Sequence, residues 1–223
     1  ADAIEYLGAD LSTTSSFDYS AVRLSTPSRN LDEALALMAD VVLRPTFPAS
    51  ELDRLKKELL TALMQAQDDP AAIISYAFPR VVFGAAHRYG TPAGGVAPGI
   101  EAITADEVRA FYKEHYVSGQ ATILVVGDVT VPEATAALER AFGAWPGSGP
   151  RTAAAPIPAA PQLKQREIVI VDKPGAAQSQ IRIGWVGVPR STPDYATLQV
   201  LNTILGGSFT SRLNQNLRER NGF

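Results

Sequence analysis

Cysteine is absent from the 223 residues, which excludes disulfides, thiolate metal sites and cysteine nucleophiles. The compartment stays open, because a cysteine-free chain suits cytoplasm and periplasm alike. Histidine is scarce, with only His87 and His115. They do not stand at i, i+4, the spacing that sets two ligands on one helix face. Their plain reading is an exposed loop residue and an exposed helix residue; a zinc pair joined by folding is the weaker one. Neither a GxSxG elbow nor a GxGxxG after a strand occurs, and GGVAPG and GGSF are not phosphate loops ending in GK[ST]. Positive charge is not in excess: 20 Lys and Arg face 23 Asp and Glu, for a net charge of −3. That argues against a nucleic-acid binder, which needs a basic face to displace counterions. The basic run RLNQNLRER (212–220) reads as a solvated helix face. No apolar run approaches the roughly 20 residues of a transmembrane helix. The chain opens on Ala1, without an initiator Met, and is expected to be a fragment or processed product with a possible upstream signal.

What is present is ordinary for a chain that buries a core: 46% hydrophobic and 19% charged residues. Residues 2–7 read as the end of a helix, with Gly8 just past it. ADLSTTSSFDYSAVRLSTPS (9–28) is rich in β-branched and hydroxyl residues and predicts two strands meeting near Asp18. Asn30 and Glu33 suggest a capping box. The helix after them sets Leu31, Ala34, Leu35, Met38 and Val42 on one stripe. Thr104 and Glu107 suggest a second box, opening a helix through Tyr116. QATILVVGD (120–128), REIVIVD (166–172) and SQIRIGWVGV (179–188) predict strands, and residues 131–145 predict a helix. The stretch 146–162 is rich in Pro, Ala and Gly and reads as a linker. Further helices are expected from Pro193 to about Leu205 and over 210–220. Strands in runs beside helices in runs indicate α+β rather than a doubly wound sheet.

One stretch, KKELLTALMQAQDDP (56–70), asks whether its helix merely packs or presents an acid to a metal. The helix opens at Pro48 or Ser50 and carries Leu52, Leu55, Leu59, Leu63 and Ala66 as an apolar seam. Asp69 before Pro70 suits an N-cap followed by proline at the first helical position. The two aspartates thus read as the start of another helix through about Val82, which Pro79 ends or kinks.

Several stretches in order resemble the pitrilysin/insulinase/mitochondrial-processing-peptidase superfamily of zinc peptidases. They are IEYLGADLSTTSSFDYSAVRL, ALALMADVVLRPTFPASELDRLKKELL, FGAAHRYGTP with ITADEVRAFYKEHY, ILVVGDV with FGAWP, and LGGSFTSRLNQNLRERNGF, which together span nearly the whole chain. The resemblance implies two related α/β-sandwich domains of the processing-peptidase type, both incomplete. The first is expected over 1–145, lacking its opening strands and first helix. A linker follows over 146–164, and the start of a second domain over 165–223. Such domains enclose a chamber for unfolded peptides.

Active members of this superfamily are inverzincins. An H-x-x-E-H helix supplies two histidines and a water-activating glutamate, and a later helix supplies a third ligand, also a glutamate. H-x-x-E-H is absent here and would lie upstream of Ala1. The resemblance places the later helix at the stretch above, where Thr61 and Ala62 occupy the glutamate-pair region. Ala62 is expected to point inward, where a ligand belongs, and offers no oxygen. Glu58, a turn earlier, would need a register shift to replace it. In the second domain, relatives carry an arginine and, seven residues later, a tyrosine, both touching the substrate backbone. The arginine matches Arg218; the tyrosine would fall beyond Phe223. An arginine fork suits a carbonyl or developing oxyanion.

The expectation is a chain with no catalytic residue and no metal of its own. It would bind peptide substrates through Arg218 and form the chamber with a zinc-bearing homologous subunit or as a homo-oligomer. It would be bacterial, and periplasmic rather than cytoplasmic. One alternative is an active zinc endopeptidase with H-x-x-E-H upstream of residue 1. Another is a structural or interaction subunit without a proteolytic role.

Overall fold

A computed structural model describes residues 2–147 and 156–223. The chain falls into two compact units, Ala1–Ile183 and Gly184–Phe223. Part of the expected linker, residues 148–155, lies outside the described residues.

The first unit opens with α1 (Asp2–Tyr6), and Gly8 follows at φ +63°, the left-handed conformation glycine adopts without strain. Strands β1 (Asp10–Ser15) and β2 (Ser20–Ser25) pair antiparallel, from Asp10 opposite Ser25 to Ser15 opposite Ser20. The turn sits where the sequence places it. The Ser16 hydroxyl oxygen accepts from the backbone N–H of Asp18 and Tyr19.

Helix α2 (Leu31–Leu43) buries Ala34, Leu35, Ala39 and Val42, much of the predicted stripe. The expected Asn30–Glu33 box does not form. The Asn30 amide instead donates to the Leu7 carbonyl at 2.8 Å, tying the end of α1 to the start of α2.

Four helices follow: α3 (Ala49–Ala66), α4 (Pro70–Phe83), α5 (Ala97–Ala102) and α6 (Ala105–His115). At the head of α6, Thr104 and Glu107 make the predicted reciprocal cap. Helix α7 (Val131–Phe142) carries a cap not read from the sequence, in which Glu133 accepts from the N–H and hydroxyl of Thr130. Ala137 and Phe142 of α7 meet Leu35, Ala39 and Val42 of α2, while Val22 and Leu24 of β2 pack on the same cluster. The core of this unit is therefore the packing of α2 on α7, two helices far apart in sequence, and α3 lies outside it with no buried residue.

Three expected strands are not formed. Among the described residues, β1 and β2 are the strands, and 120–128, 166–172 and 179–188 carry no ladder. Leu124 and Val126 are 88% and 99% exposed, and Ile170 and Ile183 are 85% and 90% exposed. An apolar β-branched run supplies strand propensity, but a strand exists only against a neighbouring edge. No such edge pairs with these runs among the described residues.

The second unit begins with extended chain and continues into α8 (Tyr195–Asn202) and a wide turn of helix over Thr203–Gly207. Ser211 then caps α9 (Arg212–Asn214), accepting from the Asn214 N–H, and a second wide turn runs over Gln215–Arg220. Gly222 ends it at φ +71°. Leu201, Leu205, Phe209, Leu213 and Leu217 all remain exposed. The architecture is α+β of the processing-peptidase type.

Candidate functional site

The connection between α3 and α4 accounts for both conspicuous aspartates. Asp69 accepts from the Ala71 N–H at 2.9 Å, so it caps α4, and Pro70 occupies the first helical position as expected. Asp68 pairs with Lys173 at 3.0 Å. Helix α4 does not stop at Pro79 but runs through it to Phe83. Pro79 has no N–H to give the Ser75 carbonyl. The Ser75 side chain bonds elsewhere, donating to the Ala71 carbonyl and accepting from Arg182.

On α3, the Thr61 hydroxyl donates to the Lys57 carbonyl at 2.8 Å and so turns back onto its own helix. The acids a turn or more earlier are also committed. Arg54 lies between Glu51 and Glu58, at 2.8 and 2.5 Å. The hydrogen bonds it donates to these two carboxylates, that to Glu51 first, hold the guanidinium further toward its charged form. The predicted seam is only partly sheltered: Leu52, Leu63 and Ala66 are half-buried, whereas Leu55 and Leu59 are each 46% exposed.

Ala62 is solvent-exposed, and the solvent it faces is a cleft of about 410 Å³. Leu59 and Leu63 flank it on α3, Tyr76 and Pro79 come from α4, and the Thr91–Gly95 segment forms a further wall. This cleft is lined mainly by apolar and ring surface, with the hydroxyl-bearing Ser75, Tyr76, Tyr89 and Thr91 but no carboxylate or imidazole of the kind that binds zinc. Among the described residues no group of three His, Asp or Glu side chains gathers in a way that could hold an ion. No His, Asp or Glu of the described residues lines the cleft.

The histidines are not brought together as a pair. His115, at the end of α6, is 41% exposed beside Glu114 and packs on Phe111. His87 departs from expectation. It is 7% exposed, stacks on Phe83, and both ring nitrogens are hydrogen-bonded. Arg218, in the second unit, is exposed on the last helical turn, its guanidinium 5.8 Å from the Phe209 ring centre.

A second concavity, of about 470 Å³, lies between the β1–β2 hairpin and α6, lined by Thr13, Val22, Phe47, Phe111 and Tyr112. The Tyr112 hydroxyl donates to the Val42 carbonyl at 2.7 Å, and burial pushes its pKa up. Among the described residues β1 pairs with β2 alone.

Residues 102–223 match the family described as the peptidase M16 inactive domain, and residues 1–85 match insulinase, peptidase family M16. The chain belongs to the M16 peptidase family. An uncharacterized zinc protease of Streptomyces coelicolor is 25% identical over 99% of this chain and 48% of its own length. One from Mycobacterium leprae is 27% identical over 100% of this chain and 49% of its own. The chain thus spans about half the length of these relatives. A crystal structure of a peptidase M16 inactive domain from Pseudomonas fluorescens covers 99% of the chain with a TM-score of 0.81 and 29% identity, using 53% of that molecule. A protease from Helicobacter pylori shares the fold, with a TM-score of 0.76 and 20% identity over 98% of this chain and 53% of its own. So does the periplasmic protease PqqL of Escherichia coli, with a TM-score of 0.58 and 23% identity over 71% of this chain and 18% of its own. No helix among the described residues is long and apolar enough to cross a membrane.

Proposed function

We propose that this M16 chain is a non-catalytic, substrate-binding part of a bacterial zinc endopeptidase acting on unfolded peptides. It carries no zinc and completes a chamber whose metal sits in a homologous subunit or, less directly, pairs with a second copy of itself. The reading rests on one observation: Thr61 is bonded to its own helix and Ala62 turns a methyl group to an open cleft, at the two positions that the resemblance assigns to a metal-binding glutamate pair. Such a cleft holds peptide side chains and cannot activate water. A peptide held as an added edge strand would gain main-chain hydrogen bonds without requiring a fixed sequence. Arg218 is proposed as a contact to the peptide backbone, its rigid donors matching a carbonyl oxygen. The M16 inactive-domain match over 102–223 supports the non-catalytic assignment. A periplasmic location is proposed by likeness to PqqL.

The test is to present the full-length protein with a fluorescent unfolded peptide, alone and with its zinc-bearing homologue. Binding alone, and cleavage once the homologue is added, fit the proposal. Absence of peptide binding in both settings contradicts it.

A further inference from the structure

A buried ring, His87, stands at the root of the loop that walls the Ala62 cleft. His87 accepts at Nδ1 from the Tyr89 N–H, 3.1 Å away, so that nitrogen carries no proton. The proton then sits on Nε2, which lies 2.9 Å from the Pro158 carbonyl and donates to it. The ring stacks on Phe83, with centres 5.2 Å apart and planes 24° apart, and meets the Tyr89 ring at 5.5 Å. Its two nitrogens are thus committed in opposite senses, an arrangement open to neutral imidazole in one tautomer alone.

We propose that His87 is a positioning residue of the cleft. In its neutral form Nδ1 holds the Tyr89 N–H at the root of the cleft wall while Nε2–H ties the ring to the Pro158 carbonyl; protonation at Nδ1 keeps that tie but breaks the Tyr89 bond and so releases the wall. This rests on reading the cleft as a peptide site. Tyr89 leads directly into Thr91–Gly95, the cleft wall, and itself lines the cleft. The loop crosses itself at Gly90, where a Cβ would collide with the Gly84 carbonyl oxygen, so a shift at Tyr89 is passed on to the wall. Residues 156–161, PIPAAP, have three prolines and no ladder, so the histidine N–H is a specific tie in a stretch poor in backbone donors. The charged groups on the elements packed around the ring are few. Arg80 lies in the last turn of α4, Arg88 adjoins the ring in sequence, and Asp18 accepts from the Tyr89 hydroxyl. The 156–162 segment contributes none. No acid therefore stands against Nδ1, and a proton placed there opposes the Tyr89 N–H donor to donor.

The experiment is hydrogen exchange on the full chain, corrected for intrinsic rates, at about pH 7.5 and about pH 5.5, either side of the usual histidine range. In the wild type, the Tyr89, Gly90 and Thr91 amides should exchange roughly tenfold faster at the lower pH. His87→Gln keeps a donor and an acceptor but does not titrate, and should stay protected at both. His87→Phe should be fast at both. Equal corrected exchange in the wild type at the two pH values overturns the proposal. So does a His87→Gln protein that loosens with acid as the wild type does. Peptide affinity measured beside it separates the two readings: a loop that responds as stated in a protein that binds no peptide leaves the clamp standing and removes the cleft assignment.

Discussion

The Thr61 hydroxyl donates to the Lys57 carbonyl, 2.8 Å away and one turn back on α3. Its neighbour Ala62 carries the methyl group that faces the cleft. On the proposed reading, the two residues leave this helix without a carboxylate at the two positions assigned to a metal-binding glutamate pair. Adding one acid should not by itself create a metal site. Ala62→Glu is an exposed substitution and should change stability by no more than about 0.5 kcal/mol. A single carboxylate among methyl and ring groups should leave zinc content unchanged by elemental analysis, while weakening binding of an apolar peptide.

The α2–α7 contact should be the most sensitive place in the first unit. Phe142, 8% exposed, packs on the cluster formed by Leu35, Ala39 and Val42. Phe142→Ala should lower stability by about 3–5 kcal/mol in denaturant unfolding. The Arg140–Asp32 ion pair joins the same helices at 2.6 Å, but both side chains are well exposed. Arg140→Ala should cost about 0–1 kcal/mol.

Acid should loosen α6 and α7 at their heads. The Thr104 side chain, and then its backbone N–H, hold the Glu107 carboxyl below its usual pKa; Thr130 does the same for Glu133. A depressed pKa contributes stability that is present above the unfolded value and is lost as pH falls through the folded one. Amide protection in the first turns of both helices should therefore fall as pH drops below the ordinary glutamate range of about 4.3. Thr104→Ala should flatten that response at α6 alone.

These predictions rest on features that differ in how plainly the sequence displays them. The Asp69–Pro70 cap, the Thr104–Glu107 box and the α2 stripe are local patterns, and each forms as the residues indicate. Asn30 shows where locality ends, because a contact 23 residues away, the Leu7 carbonyl, takes its side chain from the capping box. The runs at 120–128, 166–172 and 179–188 have strand composition, but pairing depends on a neighbour that composition does not specify. His87 is buried by Phe83, Tyr89 and Pro158, the last 71 residues away, so its surroundings could not be read from its Gly/Pro loop. Thr61 and Ala62 were found by resemblance, since nothing in the pattern of a leucine-rich helix marks a missing glutamate.

Arg218 should matter to function and not to folding. It is exposed, and its contact with Phe209 at 5.8 Å contributes about 0.5–1 kcal/mol at most. Arg218→Ala should leave thermal unfolding nearly unchanged. In the assembly with a zinc-bearing homologue it should lower kcat/KM by roughly tenfold, a loss of about 1.4 kcal/mol in transition-state binding. Arg218→Lys keeps the charge but not the planar fork, and should recover only part of that loss.

The central claim is that this chain holds peptide without holding zinc. The direct measurement is the zinc content of the purified full-length protein together with its cleavage of an unfolded peptide in the absence of any homologue. The account predicts substoichiometric zinc and no cleavage. One zinc per chain, accompanied by cleavage that a chelator removes, would contradict it.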